Sequence, residues 1–303
     1  MVSVEVPEVD YERYTNRQLL AVPLAVLAVA LLVLVAWYLL YGSPVQLGIE
    51  FTGGTELTVV APGGADQIRS TFASGGPDDP CPCEIASIRS VQALGGGANA
   101  GDTYIVTFQA PGSGTTGDDI AAHARKEGLT VTAVRTTSAT FGEDAQSTAV
   151  LGLVLAFIGM SVVVFVLFRT LIPSVAVVVS AFSDIVIPLA LMDLFGIRLS
   201  LGTVAALLML IGYSVDSDIL LNNHVLRRSG GFYESVHRAM QTGVTMTVTS
   251  IAAMTVMTIT AYIFGVDLLA SIGLVLVMGL TADLMNTYML NLSLLRWYTG
   301  ASA

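Results

Sequence analysis

Three stretches of the chain carry no charged side chain: Leu19–Tyr41, Ala145–Phe168 and Ala239–Val266. Three more are apolar but interrupted by acids. Ser174–Phe195 contains Asp184 and Asp193, Leu201–Asn223 contains Asp216 and Asp218, and Leu268–Leu290 contains Asp283. A helix needs about 20 apolar residues to cross a bilayer core, so the pattern predicts six membrane spans. The first falls at 19–41, after a tail over 1–18. The other five form a bundle over 145–295, at about 145–168, 174–195, 201–223, 243–264 and 268–290, before a tail over 296–303. The first run is too long for a leader, follows acids and lacks a small-residue cleavage site, so it reads as a retained helix.

Between the first two spans, over 42–144, the period changes. "GTELTVV" (Gly54–Val60) alternates as a strand does, and "GADQIRSTFA" after it has helical character. "ASIRSVQAL" and "DTYIVTFQA" read as strands joined by a Gly-rich turn at Gly95–Gly101. "TTGDDIAAHARKEG" reads as a helix with a Thr or Asp cap and a stop at Gly128, and "LTVTAVRTT" as a last strand. The order β-α-β-β-α-β is that of a ferredoxin-like sandwich. The predicted fold class is therefore a multi-pass α-helical membrane protein with six transmembrane helices. A small extracytoplasmic α+β ferredoxin-like domain lies between the first and second. In the longest short loop, Phe232–Met240 has the pattern of an interfacial amphipathic helix.

Composition agrees with a membrane protein. The chain is 54% hydrophobic and only 12% charged, against about a quarter charged in soluble domains. Basic residues near the spans set orientation. With the N-terminus inside, Arg13, Arg17, Arg169, Arg227, Arg228, Arg238 and Arg296 are cytoplasmic, and the short outer loops hold only Arg198. Both termini are thus predicted in the cytoplasm and the 42–144 domain outside the cell membrane. Net charge is −10 and Lys126 is the only lysine. Such an acidic surface stays hydrated in concentrated salt and does not suit nucleic acid, which selects basic surfaces.

The sequence points to no enzyme, cofactor or metal. No loop of the domain assembles nucleophile, acid and base, and no span contains a histidine. An intramembrane protease would need such a pair or paired catalytic acids. His123 reads as a solvated helix residue. Cys81 and Cys83, in "DDPCPCE", are compatible with a strained disulfide, with two free thiols or with a bond to a partner. They are too few for a metal site.

The chemistry lies in the spans. A membrane-embedded acid is costly and usually faces a bundle interior or wet cavity. Asp184 lies about 15 Å from the inner end of its span, Asp216 and Asp218 about 23–26 Å from the outer start of theirs, and Asp283 about 23 Å from its own. These depths overlap, which predicts an acidic layer across three helices that passes protons or cations. Asp216 leads this reading, with Asp184 and Asp283 in support. Asp216 and Asp218, about 200° apart on a helix, cannot share a face. Gly212, one turn before Asp216, offers a site of close backbone approach. Ser214 and Asn222 extend a polar stripe with Asp218. Thr245 and Thr249 share a face of the fifth span and are placed to donate to carboxylates opposite. The structural alternative is that buried Asp, Asn and Thr only tie helices together and that the threonines bond their own backbone. Asp193, near an outer end, reads as interfacial.

Four stretches carry a resemblance. "GIEFTGGTEL", with Glu50, Phe51, Gly53 and Gly54, resembles the Asp-Phe-x-Gly-Gly signature of the SecD/SecF protein-export family. "SAFSDIVIPL" resembles its His-Asp segment, with Ser183 where His is common. "IGYSVDSDILLNNHVLRR" resembles its Gly-Tyr-Ser segment, and "VHRAMQTGVTMTVTS" its Arg- and Thr-rich entry to the fifth span. The order and span count match across nearly the whole chain. One small outer domain favours the SecF branch, and the acidic composition suits a halophilic archaeal member. The sequence departs from the bacterial pattern at Glu50, at Ser217, where an acid is usual, and at His224, where Arg is usual. The family belongs to the resistance-nodulation-division superfamily, whose Gly-x-x-x-Asp pattern Gly212 and Asp216 match. The resemblance implies a SecD-like partner, association with the Sec translocon channel and exported polypeptides, and a hinge role for Glu50–Gly54. A small-molecule or lipid exporter half of the same superfamily is the alternative, for which a domain of about 100 residues is small.

Overall fold

The computed structural model describes residues 13–73, 88–93, 103–109, 116–227 and 231–300. Cys81 and Cys83 lie outside these residues. The first helix, α1 (Asn16–Tyr41), starts where Thr15 accepts from the Gln18 amide and the Gln18 side chain accepts the Thr15 N–H. This reciprocal cap satisfies two of the helix's orphan donors. Gly42, at φ +77°, ends it in the left-handed conformation that glycine adopts at little cost. The chain then falls into two compact units, one of residues 47–150 and 260–267, the other of the remainder.

The first unit carries the sheet. A short helix α2 (Ile49–Thr52) leads into β1 (Gly54–Val60), α3 (Gly64–Ala73), β2 (Ile88–Ala93), β3 (Thr103–Phe108), α4 (Gly117–Lys126) and β4 (Thr130–Thr137). The strand order is β2-β3-β1-β4, with every neighbour antiparallel. This is the α+β sandwich that the pattern predicts. Alternation along β1 sends Leu57 and Val59 inward to meet Ile68 of α3, Ile120 of α4 and Val106 and Phe108 of β3, all fully buried. Thr116 caps α4 together with Asp119, whose carboxylate accepts from the Thr116 hydroxyl and amide and is held below its ordinary pKa range by those bonds. His123 is not a solvated residue. It is buried beside Phe72, with Nε2 3.4 Å from the Thr71 carbonyl oxygen, because its helix face packs on α3.

The remaining helices are α5 (Ala139–Phe168), α6 (Leu171–Phe195), α7 (Leu201–Arg227), α8 (Phe232–Ile263), α9 (Asp267–Met285) and α10 (Leu292–Thr299). A π-helical turn, Asn286–Asn291, joins α9 to α10 into one continuous span. Among the described residues, six helices are long and apolar enough to cross a membrane, and the chain is a multi-pass helical membrane protein. Phe232–Met240 is not a separate interfacial helix. It continues without a break into the fifth span, as one helix from Phe232 to Ile263.

Burial separates the spans by role. α1, α5 and α8 expose rows of Val, Leu and Ile, the surface expected toward lipid tails. α6 and the last span are the most enclosed, packing with α7 around Ile185, Leu207, Leu210, Leu276 and Leu280. Lipid gives helices no hydrophobic reason to associate, so small residues at close crossings matter. Gly279 leaves no space for a Cβ against Leu210. At one end, Arg296 is buried rather than part of a solvated tail: it donates to the Tyr14 carbonyl at 2.8 Å and lies over the Tyr233 ring. Asp193, near the end of α6, is buried as well and accepts the Gln46 amide at 2.9 Å.

Candidate functional site

The enclosed centre of the helix bundle is polar. Asp184 of α6, Asp218 of α7 and Asp283 of α9 are each 1% exposed or less. Every carboxylate is met by neutral donors. Asp184 accepts from the Ser214 hydroxyl and the Asn286 amide, both at 2.6 Å. Asp218 accepts from the Thr287 hydroxyl at 2.9 Å and the Asn291 amide at 2.8 Å. Asp283 accepts from the Ser217 hydroxyl at 2.9 and 3.1 Å. Thr287 also lies 3.3 Å from Asp283. A hydroxyl has one hydrogen, so Thr287 serves Asp218 or Asp283 but not both at once.

Three local features build this centre. On α7, Ser214, Asp218 and Asn222 recur every four residues and share a face. On α6, Pro188 has no N–H for the carbonyl four residues earlier, which belongs to Asp184, so the backbone there gains an unpaired acceptor. On the last span, Asp283, Asn286, Thr287 and Asn291 follow helical spacing, and the π turn widens the backbone where three of them face inward. Single π turns inside α-helices recur at functional sites.

The sequence-predicted residues divide sharply. Asp184, Asp218 and Asp283 come together. Asp216 does not join them: pointing away from Asp218 on the same helix, it lines a cleft of about 330 Å³ with Tyr213, Leu220, Met246, Thr247 and Ser250. Gly212 has open space where a Cβ would stand, so among the described residues no neighbouring backbone approaches it. Asn222 is buried on the acid face. Thr245 and Thr249 do not reach the acids. Their hydroxyls donate to carbonyls of their own helix, at Gln241 (2.7 Å) and at Thr245 (2.9 Å), because each faces away from the cluster. Asn286, Thr287, Asn291 and Ser180 went unread in the sequence. The i, i+3, i+4, i+8 polar spacing from Asp283 was the available signal, and it runs past the expected end of the span.

The stretch around Glu50–Phe51–Thr52–Gly53–Gly54 has a different character. Phe51 is 2% exposed, and Glu50 is half-buried. Gly53 and Gly54 have φ +67° and +127°, a region other residues enter only with strain. A Cβ on Gly53 would lie 2.7 Å from the Ala139 Cα, and one on Gly142 would lie 2.9 Å from the Gly53 nitrogen. The double-glycine turn thus presses backbone to backbone on the first turn of α5, just after β4 ends. It is a clasp on the two strands of chain that enter and leave the domain.

These features meet known proteins at full length. The model for the C-terminal region of the protein export membrane proteins SecD/SecF matches residues 118–301, and the SecD/SecF GG motif matches 38–61. The chain belongs to the SecD/SecF protein-export family. Within the SecD/SecF family it is similar to proteins named protein-export membrane protein SecF. That of Haloferax volcanii is 62% identical over 98% of both chains, and that of Haloquadratum walsbyi 58% identical over 98% of both. A crystal structure of SecDF, a translocon-associated membrane protein from Thermus thermophilus, has the same fold, with a TM-score of 0.71 at 20% identity. That structure is matched over 97% of this chain, which spans 39% of the longer SecDF chain. The GG-motif match contains Gly53 and Gly54, and the C-terminal match contains Ala139, Gly142 and all three clustered acids.

Proposed function

We propose that this chain is a SecF-type accessory subunit of the Sec protein translocase. It acts with a SecD-like subunit beside the translocon channel to promote export or membrane release of polypeptides. The observation that carries this reading is the end-to-end likeness to relatives named for protein export, at up to 62% identity. The SecDF neighbour supports pairing, because this chain accounts for only 39% of it and leaves room for a second, related half. The arginine distribution supports cytoplasmic termini and an extracytoplasmic sheet domain.

The coupling is assigned to Asp218, Asp184 and Asp283. Three buried carboxylates met only by hydroxyls and amides hold a charge that low-dielectric surroundings penalise strongly. A proton or a cation must neutralise part of it. Thr287, able to serve either of two acids, links the state of one site to the other. Movement of charge through the cluster then repacks α6, α7 and the π turn, which share it. The clasp at Gly53 and Gly142 makes the chain entering and leaving the sheet domain move as one piece.

The test replaces the chromosomal copy with Asp218→Asn and measures accumulation of unexported precursor at normal protein level. Precursor is expected to accumulate several-fold. Unchanged export with Asp218→Asn and Asp184→Asn alike would remove the coupling role. Purification from native membranes is expected to bring down a longer relative that carries its own Phe-x-Gly-Gly stretch. Recovery of this chain alone would remove the pairing.

A further inference from the structure

The helix ends of this chain follow one habit, and α5 breaks it. α1, α4, α6, α8 and α10 each end beside a glycine at positive φ: Gly42, Gly128, Gly196, Gly265 and Gly300. α5 ends on Arg169 at φ +54°, the one non-glycine residue at positive φ among the described residues. Its amide donates to the Phe165 carbonyl at 3.0 Å, as the left-handed cap of a helix does. A side chain in that conformation crowds its own backbone, and glycine avoids the cost. An arginine does gain from the negative end of a helix dipole. That gain needs no positive φ, because an arginine within the last regular turn collects it too. Backbone strain that persists points to a function for the side chain that causes it.

No neighbour in the protein explains that side chain. Arg169 is exposed, and among the described residues its guanidinium forms no ion pair or hydrogen bond. Other arginines near span ends are engaged: Arg238 pairs with Glu234, and Arg296 donates to the Tyr14 carbonyl. Beside Arg169 runs a groove of about 540 Å³, lined by Val162, Val163, Val166, Leu167, Phe168 and Arg169 itself. Val162, Val163 and Val166 are more than half exposed, whereas Val164 is fully buried and packs with Val177, Ala181 and Val215. The groove therefore opens away from the bundle, toward lipid tails. β-branched valines keep essentially one rotamer in a helix, so its walls hold their shape.

An apolar groove with a guanidinium at its end has the polarity of a lipid molecule. The planar fork of arginine matches the oxygens of a phosphate. On the orientation given above, this end lies in the cytoplasmic leaflet, where anionic headgroups attract arginines next to spans. The chain as a whole carries a net charge of −10 and does not favour an anionic surface, so attraction has to be local. We propose that the Arg169 end of α5 holds one anionic phospholipid, its phosphate on the Arg169 guanidinium and an acyl chain along Val162, Val163 and Val166. The lipid ties to the headgroup layer a helix whose other faces are largely exposed.

The experiment uses the full chain in nanodiscs of phosphatidylcholine into which phosphatidylglycerol is introduced stepwise. Thermal unfolding is followed, and native mass spectrometry counts the lipid that stays bound. A saturable rise in Tm and one retained phosphatidylglycerol are expected for the unaltered chain. Arg169→Gln is expected to lower that retention several-fold, and Arg169→Lys, which keeps a charge but not the fork, to lower it less. Val166→Phe fills the groove with a side chain that lipid tolerates and should also lower retention. Arg17→Gln removes an equal charge from the first turn of α1 and should leave retention unchanged. Arg169→Gly removes strain and cation together. It should unfold at the same or a higher temperature than the unaltered chain in pure phosphatidylcholine, yet show no rise with phosphatidylglycerol. A folding defect cannot give that pair of results. Equal retention of both lipids by the unaltered chain overturns the site. So does a loss in Arg17→Gln as large as that in Arg169→Gln, which would mean diffuse charge. Retention unaltered in Val166→Phe overturns the seat of the acyl chain, and the same rise in Tm from inorganic phosphate in the buffer overturns the lipid as occupant. The export reading is scored by precursor accumulation and stands or falls apart from these outcomes.

Discussion

The double-glycine clasp and the acid cluster are built from opposite materials. At Gly53 and Gly142 the absence of side chains is the point: two backbones touch, and no Cβ fits between them. At Asp184, Asp218 and Asp283 the side chains are everything, and the backbone only presents them. The clasp has one way to be right, because hard-sphere contact tolerates little change. The cluster has several, because its hydroxyls can turn and its charge can be neutralised in more than one way. A rigid joint suits transmission of movement, and an adaptable polar centre suits its generation.

The sharpest way to break this comparison is Gly53→Ala. The new methyl would enter the Ala139 backbone, and the residue would sit at φ +67°. Positive φ for a residue with a side chain costs about 1–3 kcal/mol, and overpacking against backbone adds about 1–3 more. A loss of about 3 kcal/mol or more is expected for the sheet domain, read as earlier thermal unfolding and faster proteolysis. Gly142→Ala should follow it closely, since it meets the same turn from the other side. Gly54→Ala carries the strain of φ +127° alone and should cost about 1–3 kcal/mol. If Gly54→Ala cost as much as Gly53→Ala while Gly142→Ala cost little, strain and not the clasp would explain the double glycine.

The cluster should answer differently to loss of shape and loss of charge. Asp184→Ala leaves the Ser214 hydroxyl and the Asn286 amide without their acceptor, which costs about 1–3 kcal/mol for each buried donor. Asp184→Asn keeps the volume and removes a buried charge. Replacing a buried charge can be neutral or stabilising, so this variant should keep its unfolding temperature while export falls. Unfolding temperature and precursor accumulation, measured on the same pair of variants, separate the two effects. A joint loss of both in Asp184→Asn would mean that the cluster is structural glue.

Thr287→Val tests the bridge between two acids. It deletes the one hydroxyl shared by Asp218 and Asp283 and puts a methyl between two carboxylates. A cost of about 1–2 kcal/mol is expected from the lost bond and the desolvated oxygens. Thr287→Ser restores the hydroxyl and should restore most of it. In the clasp no such conservative rescue exists, because nothing is smaller than glycine.

The two regions also differed in how readable they were. Residues 54–60 announced a strand by alternation, and the sheet order followed from the β-α-β-β-α-β sequence. Gly53–Gly54 stood out as a motif, but its contact with Ala139 and Gly142 joins positions about ninety apart in the chain, which no local pattern records. The acids were visible as charges in apolar runs, and their shared depth followed from helical rise. Which acid faced inward did not. Asp216 led the reading of α7 through its spacing from Gly212, and only packing against α6 and the last span shows that Asp218 is the one that faces inward. The π turn was hidden for a physical reason: it shifts the helical phase by a fraction of a turn, within the scatter of any periodicity. The polar stripe Asp283–Asn286–Thr287–Asn291 was there to be read, and only Asn291 lies past the expected end of the span at 290.

The smallest expected effects lie outside both regions and bound the comparison from below. Thr245 and Thr249 sit in the fifth span at helical spacing, and by residue type alone they belong with the acids' donors. Their hydroxyls are satisfied by carbonyls of their own helix. Thr→Val there removes a bond that is local and replaces it with a methyl in a half-apolar setting, so Thr245→Val and Thr249→Val should each stay within about 0.5 kcal/mol. Export should persist in both variants. A large loss in either would mean that α8 turns its threonines inward at some stage of the cycle, and that the polar centre extends to a third wall. Persistence would confine the polar chemistry of the span region to α6, α7 and the π turn.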